Sequence, residues 1–134
     1  MSRILPILLI FAVACTSGPE AVQIPPLPVG DERIVFLDAV KRIRAHSETA
    51  TEAFYRDEWD CVAASARRIE QTAKFLPTST DIPANLGGKV LGETTQLTEE
   101  AKRLEAAALR SDAMGVGESL SRIRFRIRTL QGGK

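Results

Sequence analysis

Apolar residues recur at alternating three- and four-residue steps along most of the chain, which is the spacing of one face of an α-helix. Four such series are separated by short polar segments, so we predict four amphipathic helices. The series are Phe36, Val40, Ile43, Ala50 and Phe54; Trp59, Val62, Ala66, Ile69, Ala73 and Leu76; Val90, Leu97, Ala101, Leu104 and Ala108; and Ala113, Val116, Leu120, Ile123, Ile127 and Leu130.

Residues at the ends of these series indicate where the helices begin and end. Asp57 is the predicted N-cap of the second helix, and Pro77 is predicted to end it. Ser111 or Asp112 is the predicted cap of the fourth. Four helices with narrow apolar faces and short links predict an all-α fold, an antiparallel up-down four-helix bundle.

Residues 122–128 conflict with this pattern, because arginine and apolar residues alternate there as they do in a β-strand. We predict a helix, since the apolar series of the fourth helix continues through the segment and a lone strand would have no partner. Phe125 then lies off the apolar face.

The chain also contains a faint internal repeat, seen when residues 53–76 are aligned with residues 107–130. Two interpretations remain open, a duplicated helical hairpin and the general likeness of any two amphipathic helices. The identical pairs are Ala53 and Ala107, Arg56 and Arg110, Val62 and Val116, Ser65 and Ser119, Arg68 and Arg122, Ile69 and Ile123, and Leu76 and Leu130.

The first fifteen residues have the composition of an export signal. Arg3 precedes an apolar run at 4–11, and the small residues Ala12-Val13-Ala14 lead directly to Cys15. The run is too short to span a membrane, which takes about 20 apolar residues. The segment resembles a bacterial lipoprotein signal (1–14), which implies that Cys15 carries acyl chains such as palmitate. A plain signal peptide cut near Ala14 and an uncleaved anchor are the alternatives.

Residues 15–30 follow as the lipidated cysteine and a linker rich in proline and glycine, which favours an extended stalk. The predicted domain covers residues 31–134. The lipoprotein resemblance implies an exported, membrane-anchored protein of the cell envelope. Because Thr16, and not Asp, follows the cysteine, we expect the outer membrane, facing the periplasm.

Charge and cysteine content narrow the function classes. The net charge of +1 does not favour nucleic acid as a partner. The chain has one histidine, His46, and two cysteines, Cys15 and Cys61. With Cys15 lipidated, these residues cannot form a zinc cluster. Without a triad, metal cluster or cofactor loop, we predict a protein that is not an enzyme.

The second predicted hairpin, residues 91–130, resembles the cytochrome c′ and soluble b-type cytochrome bundles in architecture and apolar spacing. The c′ family attaches haem through a Cys-x-x-Cys-His sequence late in its last helix, where this chain has neither Cys nor His at 121–127. The resemblance therefore implies a haem-less relative, with no cofactor, in a binding or scaffolding role. The alternative is a b-type haem electron-transfer cytochrome that uses His46.

Several side chains have both a structural and a functional interpretation. Arg122, Arg124, Arg126 and Arg128 either pair with carboxylates of neighbouring helices or bind an anionic envelope component or an acidic protein. His46 is either a boundary residue on a solvated flank or a single axial ligand.

Cys61 is expected to be a partly buried structural thiol, with a redox role as the alternative. The acidic residues around Trp59 are expected to cap the second helix.

Overall fold

The apolar series fold into helices over nearly all of their length. The structure, a computed structural model, describes residues 24–28 and 33–132. It contains α1 (Phe36–Tyr55), α2 (Trp59–Ala73), α3 (Val90–Leu109) and α4 (Ala113–Leu130), with a 3₁₀ helix at Leu76–Thr78. The all-α prediction is confirmed. The predicted signal peptide, Cys15 and most of the linker lie outside the described residues.

The four helices form a ring around one hydrophobic core. α1 packs on α2, α2 on α3 and α3 on α4, and α4 returns to α1. Most members of the four apolar series are buried in this core, while Phe54 and Trp59 are partly buried and Ala113 is exposed. The largest fully buried side chains include Phe36, Ile43, Ile69, Leu76, Leu97, Leu104, Ile123 and Leu130.

The segment with strand-like alternation is helical. Residues 122–128 lie inside α4, with Ile123 and Ile127 buried on the predicted face. Phe125 lies off that face and is 60 % exposed. The three-to-four-residue period therefore determines the structure here, since it buries the isoleucines against α3 and α1.

The helix ends agree with the sequence prediction at α4 and differ from it at α2. The Asp112 side chain accepts a hydrogen bond of 3.1 Å from the Gly115 N–H, as an N-cap does. The predicted cap Asp57 is wrong, because it lies in the link with a φ of 56°. Glu58 takes the cap position of α2 without a side-chain hydrogen bond. α2 ends at Ala73, and Pro77 lies in the 3₁₀ helix that follows.

The half formed by α1 and α2 corresponds to the half formed by α3 and α4 in most helix bounds and in its buried positions, which favours the duplicated-hairpin interpretation. Adding 54 to the bounds of α1 (36 and 55) gives the bounds of α3 (90 and 109), and adding 54 to the start of α2 (59) gives the start of α4 (113). The buried residues of α4 have buried equivalents at 62, 65, 66, 69, 73 and 76.

The links between the helices of each hairpin share their backbone geometry. Glu58 N–H donates to the Ala53 carbonyl at 2.9 Å, and Asp112 N–H donates to the Ala107 carbonyl at 2.9 Å. Asp57 and Ser111 both have a positive φ, 56° and 52°. Two unrelated amphipathic helices would not be expected to share this turn geometry at equivalent positions, so the turns also favour a duplicated hairpin.

The described part of the linker lies against α1. Arg42 Nη1 donates to the carbonyl oxygens of Pro25 at 2.7 Å and Pro26 at 3.0 Å. The expectation of a stalk that stands away from the domain is therefore wrong for residues 24–28.

Candidate functional site

The arginine row of α4 divides into two pairs, each facing a different neighbouring helix. Arg126 and Arg122 form ion pairs with α3. Arg126 Nη1 lies 3.3 Å from Glu93 Oε1, and Arg122 Nη1 lies 3.7 Å from Glu100 Oε2. Arg122 also approaches Glu118, on its own helix, at 3.6 Å. The structural interpretation holds for these two arginines.

Glu100 is the most buried charged partner in this set, with 6 % of its side chain exposed. Its Oε1 accepts a hydrogen bond of 2.7 Å from Arg103, while Oε2 makes no hydrogen bond in the described structure and faces Arg122. A buried carboxylate loses its hydration, so the nearby guanidinium groups compensate its charge. Both cations therefore have a role inside the domain.

Arg124 and Arg128 lie on the other flank, toward α1. Arg124 Nη2 donates to the Thr51 hydroxyl at 2.8 Å, and both arginines are exposed. Within residues 24–28 and 33–132, neither has a carboxylate at ion-pair distance. One helical turn separates them, so they present two neighbouring guanidinium groups to solvent. The candidate anion site of four arginines thus narrows to these two.

His46 is not the solvated boundary residue that the sequence suggests. It is 6 % exposed, and its pKa is lowered to about 4, first by burial and then by the charges of Arg68 and Arg42. The imidazole is therefore neutral at pH 7. A helical wheel placed it on the flank of α1, and the folded chain buries that position.

Other side chains that can ligate a metal or a haem iron lie in varied surroundings. Glu100 on α3 forms ion pairs with Arg103 and Arg122. Met114 is 76 % exposed at the start of α4. Among the described residues, no three His, Cys, Asp or Glu side chains gather as a metal site would need.

Cys61 and the acidic residues beside it lie at the start of α2. Cys61 is 7 % exposed, which agrees with the expected burial, but it is not a free thiol in the structure. Asp57, Glu58 and Asp60 are exposed. Trp59 is partly buried and packs edge-on against Phe54, with ring centroids 6.0 Å apart. The carboxylates therefore lie at the surface in the first turn of α2 and the link before it, where negative charge is favourable to the helix dipole.

Sequence reasoning missed the partners of the candidate residues. Glu93 and Glu100 on α3 and Thr51 on α1 decide which arginines are engaged. The charge of Arg68 on α2 contributes to lowering the pKa of His46. One signal was present for Glu100, because it lies directly before Ala101 on the buried edge of α3. The relative rotation of the helices, which selects the partner, is a tertiary property.

Comparison with known proteins gives this chain no relatives: no protein family, no curated protein and no solved structure matches it.

Over the described ranges, none of the helices combines the length and the apolar character that crossing a membrane requires.

Proposed function

We propose that this chain is a lipid-anchored helical-bundle protein of the bacterial envelope that binds an anionic partner through Arg124 and Arg128. The observation that carries the proposal is the division of the arginine row. Two arginines are engaged by α3 carboxylates, and the other two are exposed without one. Paired, exposed guanidinium groups bind phosphate and carboxylate groups well, because their planar N–H donors match both anions.

The proposed arrangement of the helices is antiparallel and up-down. α1 has 20 residues and is therefore about 30 Å long, whereas the three-residue link at 56–58 spans at most about 11 Å. α2 must then start beside the end of α1, and the same reasoning applies to α3 and α4. The ion pairs support this arrangement. Glu93, earlier in α3, pairs with Arg126, later in α4, and Glu100, later in α3, pairs with the earlier Arg122, as expected for antiparallel helices.

The anchor of this proposed protein is a thioether-linked lipid at Cys15, after removal of residues 1–14. More than one acyl chain is needed for stable attachment, at about 0.8 kcal/mol for each buried CH₂. The proposed location is the outer membrane, with the bundle in the periplasm. The role is binding or scaffolding without a cofactor and without catalysis, in a bundle that resembles a haem-less cytochrome.

The test measures binding of the mature chain to vesicles containing phosphatidylglycerol and, separately, to a polyglutamate peptide. Replacing both Arg124 and Arg128 by Gln is expected to weaken binding to one of these probes at least tenfold. Binding of the unmodified chain is expected to weaken as salt is added, because exposed charges are screened.

A matched variant, Lys89→Gln with Lys102→Gln, removes the same charge from exposed positions at the start and in the middle of α3. It is expected to bind nearly as the unmodified chain does. If both double variants lose binding equally, net charge and not this site explains the attraction. If neither probe binds, the proposed anion site is wrong.

A further inference from the structure

The duplicated hairpins differ in charge at one equivalent position on the first helix of each. Adding 54 to 46 and 68 gives 100 and 122, so His46 and Arg68 occupy the places of Glu100 and Arg122. His46 and Glu100 are both buried, and the arginine is retained in both hairpins. The second hairpin therefore pairs a carboxylate with its arginine at 3.7 Å, while the first hairpin has an imidazole there.

The other ion pair of the second hairpin has no charged counterpart in the first. Glu93 and Arg126 correspond to Ala39 and Thr72, which are both buried and neutral. The first hairpin therefore lacks both the carboxylate and the guanidinium group at these two positions, and no charge is left without a partner there. At His46 only the acid is absent, and the cation remains.

Arg68 is consequently a cation without a counterion in the described structure. No described carboxylate lies within 4.0 Å of its guanidinium group, and Arg42 adds a second positive charge on the α1 side of His46. Arg42 uses Nη1 for the carbonyl groups of Pro25 and Pro26, which leave its charge uncompensated. Burial and these two cations together keep His46 neutral.

We propose that the seam between α1 and α2 at Arg42, His46 and Arg68 binds a carboxylate group from outside the bundle, in the role that Glu100 has in the second hairpin. Arg68 and the free donors of Arg42 receive the carboxylate oxygens, while His46 itself is buried. This site does not depend on Arg124 and Arg128, which face the opposite flank of α1, or on the lipid anchor.

The single histidine makes the site observable in the full mature chain. The proton affinity of His46 is measured by NMR in sodium acetate and in sodium chloride at equal ionic strength. A bound carboxylate stabilises the imidazolium form, so acetate is expected to raise this affinity at least threefold.

Arg68→Gln is expected to abolish the acetate effect. Arg67→Gln removes the same charge from the neighbouring, exposed residue and is expected to keep it. An equal response in chloride and acetate, or the same response in both variants, would overturn the proposal.

A second pair of variants tests the site through stability. His46→Glu places a carboxylate where Glu100 stands in the other hairpin, so its melting temperature is expected to exceed that of His46→Gln. Acetate is expected to raise the melting temperature of the unmodified chain more than that of His46→Glu. A His46→Glu variant that melts below His46→Gln would show that the seam does not accept a carboxylate.

Discussion

Gly115 and Gly117, both in α4, allow the effect of helix propensity on stability to be distinguished from the effect of a close contact. A Cβ atom at Gly115 would lie 2.5 Å from Asp112 Oδ2 and 3.1 Å from Ala107 Cβ, whereas a Cβ atom at Gly117 meets nothing within 4 Å. The Asp112 carboxylate caps α4 through the Gly115 N–H, so displacing it weakens the cap.

We expect Gly117→Ala to raise the free energy of unfolding by up to about 1 kcal/mol, because alanine favours the helix. Gly115→Ala gains the same propensity but disturbs the cap, so we expect it to be about 1–2 kcal/mol less stable than Gly117→Ala. Urea denaturation of both variants measures the difference. Equal stabilisation by the two substitutions would contradict the role given to Gly115.

His46 links stability to pH. Its pKa is about 4 in the folded chain, while an unfolded histidine titrates near 6.5, so the unfolded chain binds more protons as pH falls between these values. Stability from the buried neutral imidazole is therefore present above pH 6.5 and is lost progressively toward pH 4.

Lowering the pH from 7 to 5 is expected to cost the unmodified chain about 1–2 kcal/mol more than the His46→Gln variant. Denaturation of both chains at each pH measures this difference, and the variant subtracts the effect of carboxylates that titrate in the same range. An identical pH dependence in both chains would show that His46 is exposed to protons in the folded state.

At the scale of elements, the sequence was sufficient to predict the four helices but not which residues of neighbouring helices contact each other. The three-to-four-residue spacing of Ile123 and Ile127 predicted α4 correctly against a strand-like alternation, because burial of one face outweighs local propensity. The sequence left Ser111 and Asp112 open as the cap of α4, and the hydrogen bond to the Gly115 N–H identifies Asp112. Asp57 was not excluded as a cap by sequence, since the left-handed turn that it adopts is a property of the link.

The division of the arginine row between two flanks of α4 was predictable from the sequence, but the partners of each pair were not. Alternate residues of a helix lie on different flanks, so a row at 122, 124, 126 and 128 must split between two neighbours. Which flank meets Glu93 and Glu100 depends on how α3 is rotated against α4. The burial of His46 was missed for the same reason, because a helical wheel does not show which flank of α1 a neighbouring helix covers.

The hairpin repeat was visible in the sequence only as seven identities, yet the structure extends it to helix lengths, buried positions and turns. Sequence identity is a weak detector here, since many apolar residues fill a buried position equally well. The backbone hydrogen bonds of the two turns are the stronger sign, because they depend on geometry and not on side-chain identity.

At the scale of the whole molecule, the two cysteines make the anchor testable. A thioether at Cys15 and a disulfide between Cys15 and Cys61 exclude each other within one chain. Intact-mass measurement of the chain from a bacterial host with lipoprotein processing is expected to show loss of residues 1–14 and the added mass of acyl chains. Treating the unfolded chain with a thiol reagent, with and without a reductant, then reports whether a disulfide is present.

A Cys15→Ser variant is the matched control and is expected to leave the membrane fraction. A chain that keeps Met1, or one in which both cysteines resist the thiol reagent until a reductant is added, would overturn the anchor. In the second case, a secreted chain with a disulfide would replace the lipoprotein in the proposal.

If the proposed lipid anchor is present, the hydrogen bonds from Arg42 to Pro25 and Pro26 shorten the free part of the linker between the anchor and the bundle. Only residues 16–24 would then lie between the acylated cysteine and the first docked residue, a reach of at most about 30 Å. A bundle on so short a linker would stay close to the lipid surface, and it would meet only molecules that come within that distance of the membrane. Arg42→Ala would remove these hydrogen bonds and let the bundle move farther from the membrane, without altering the anchor or the arginines of α4.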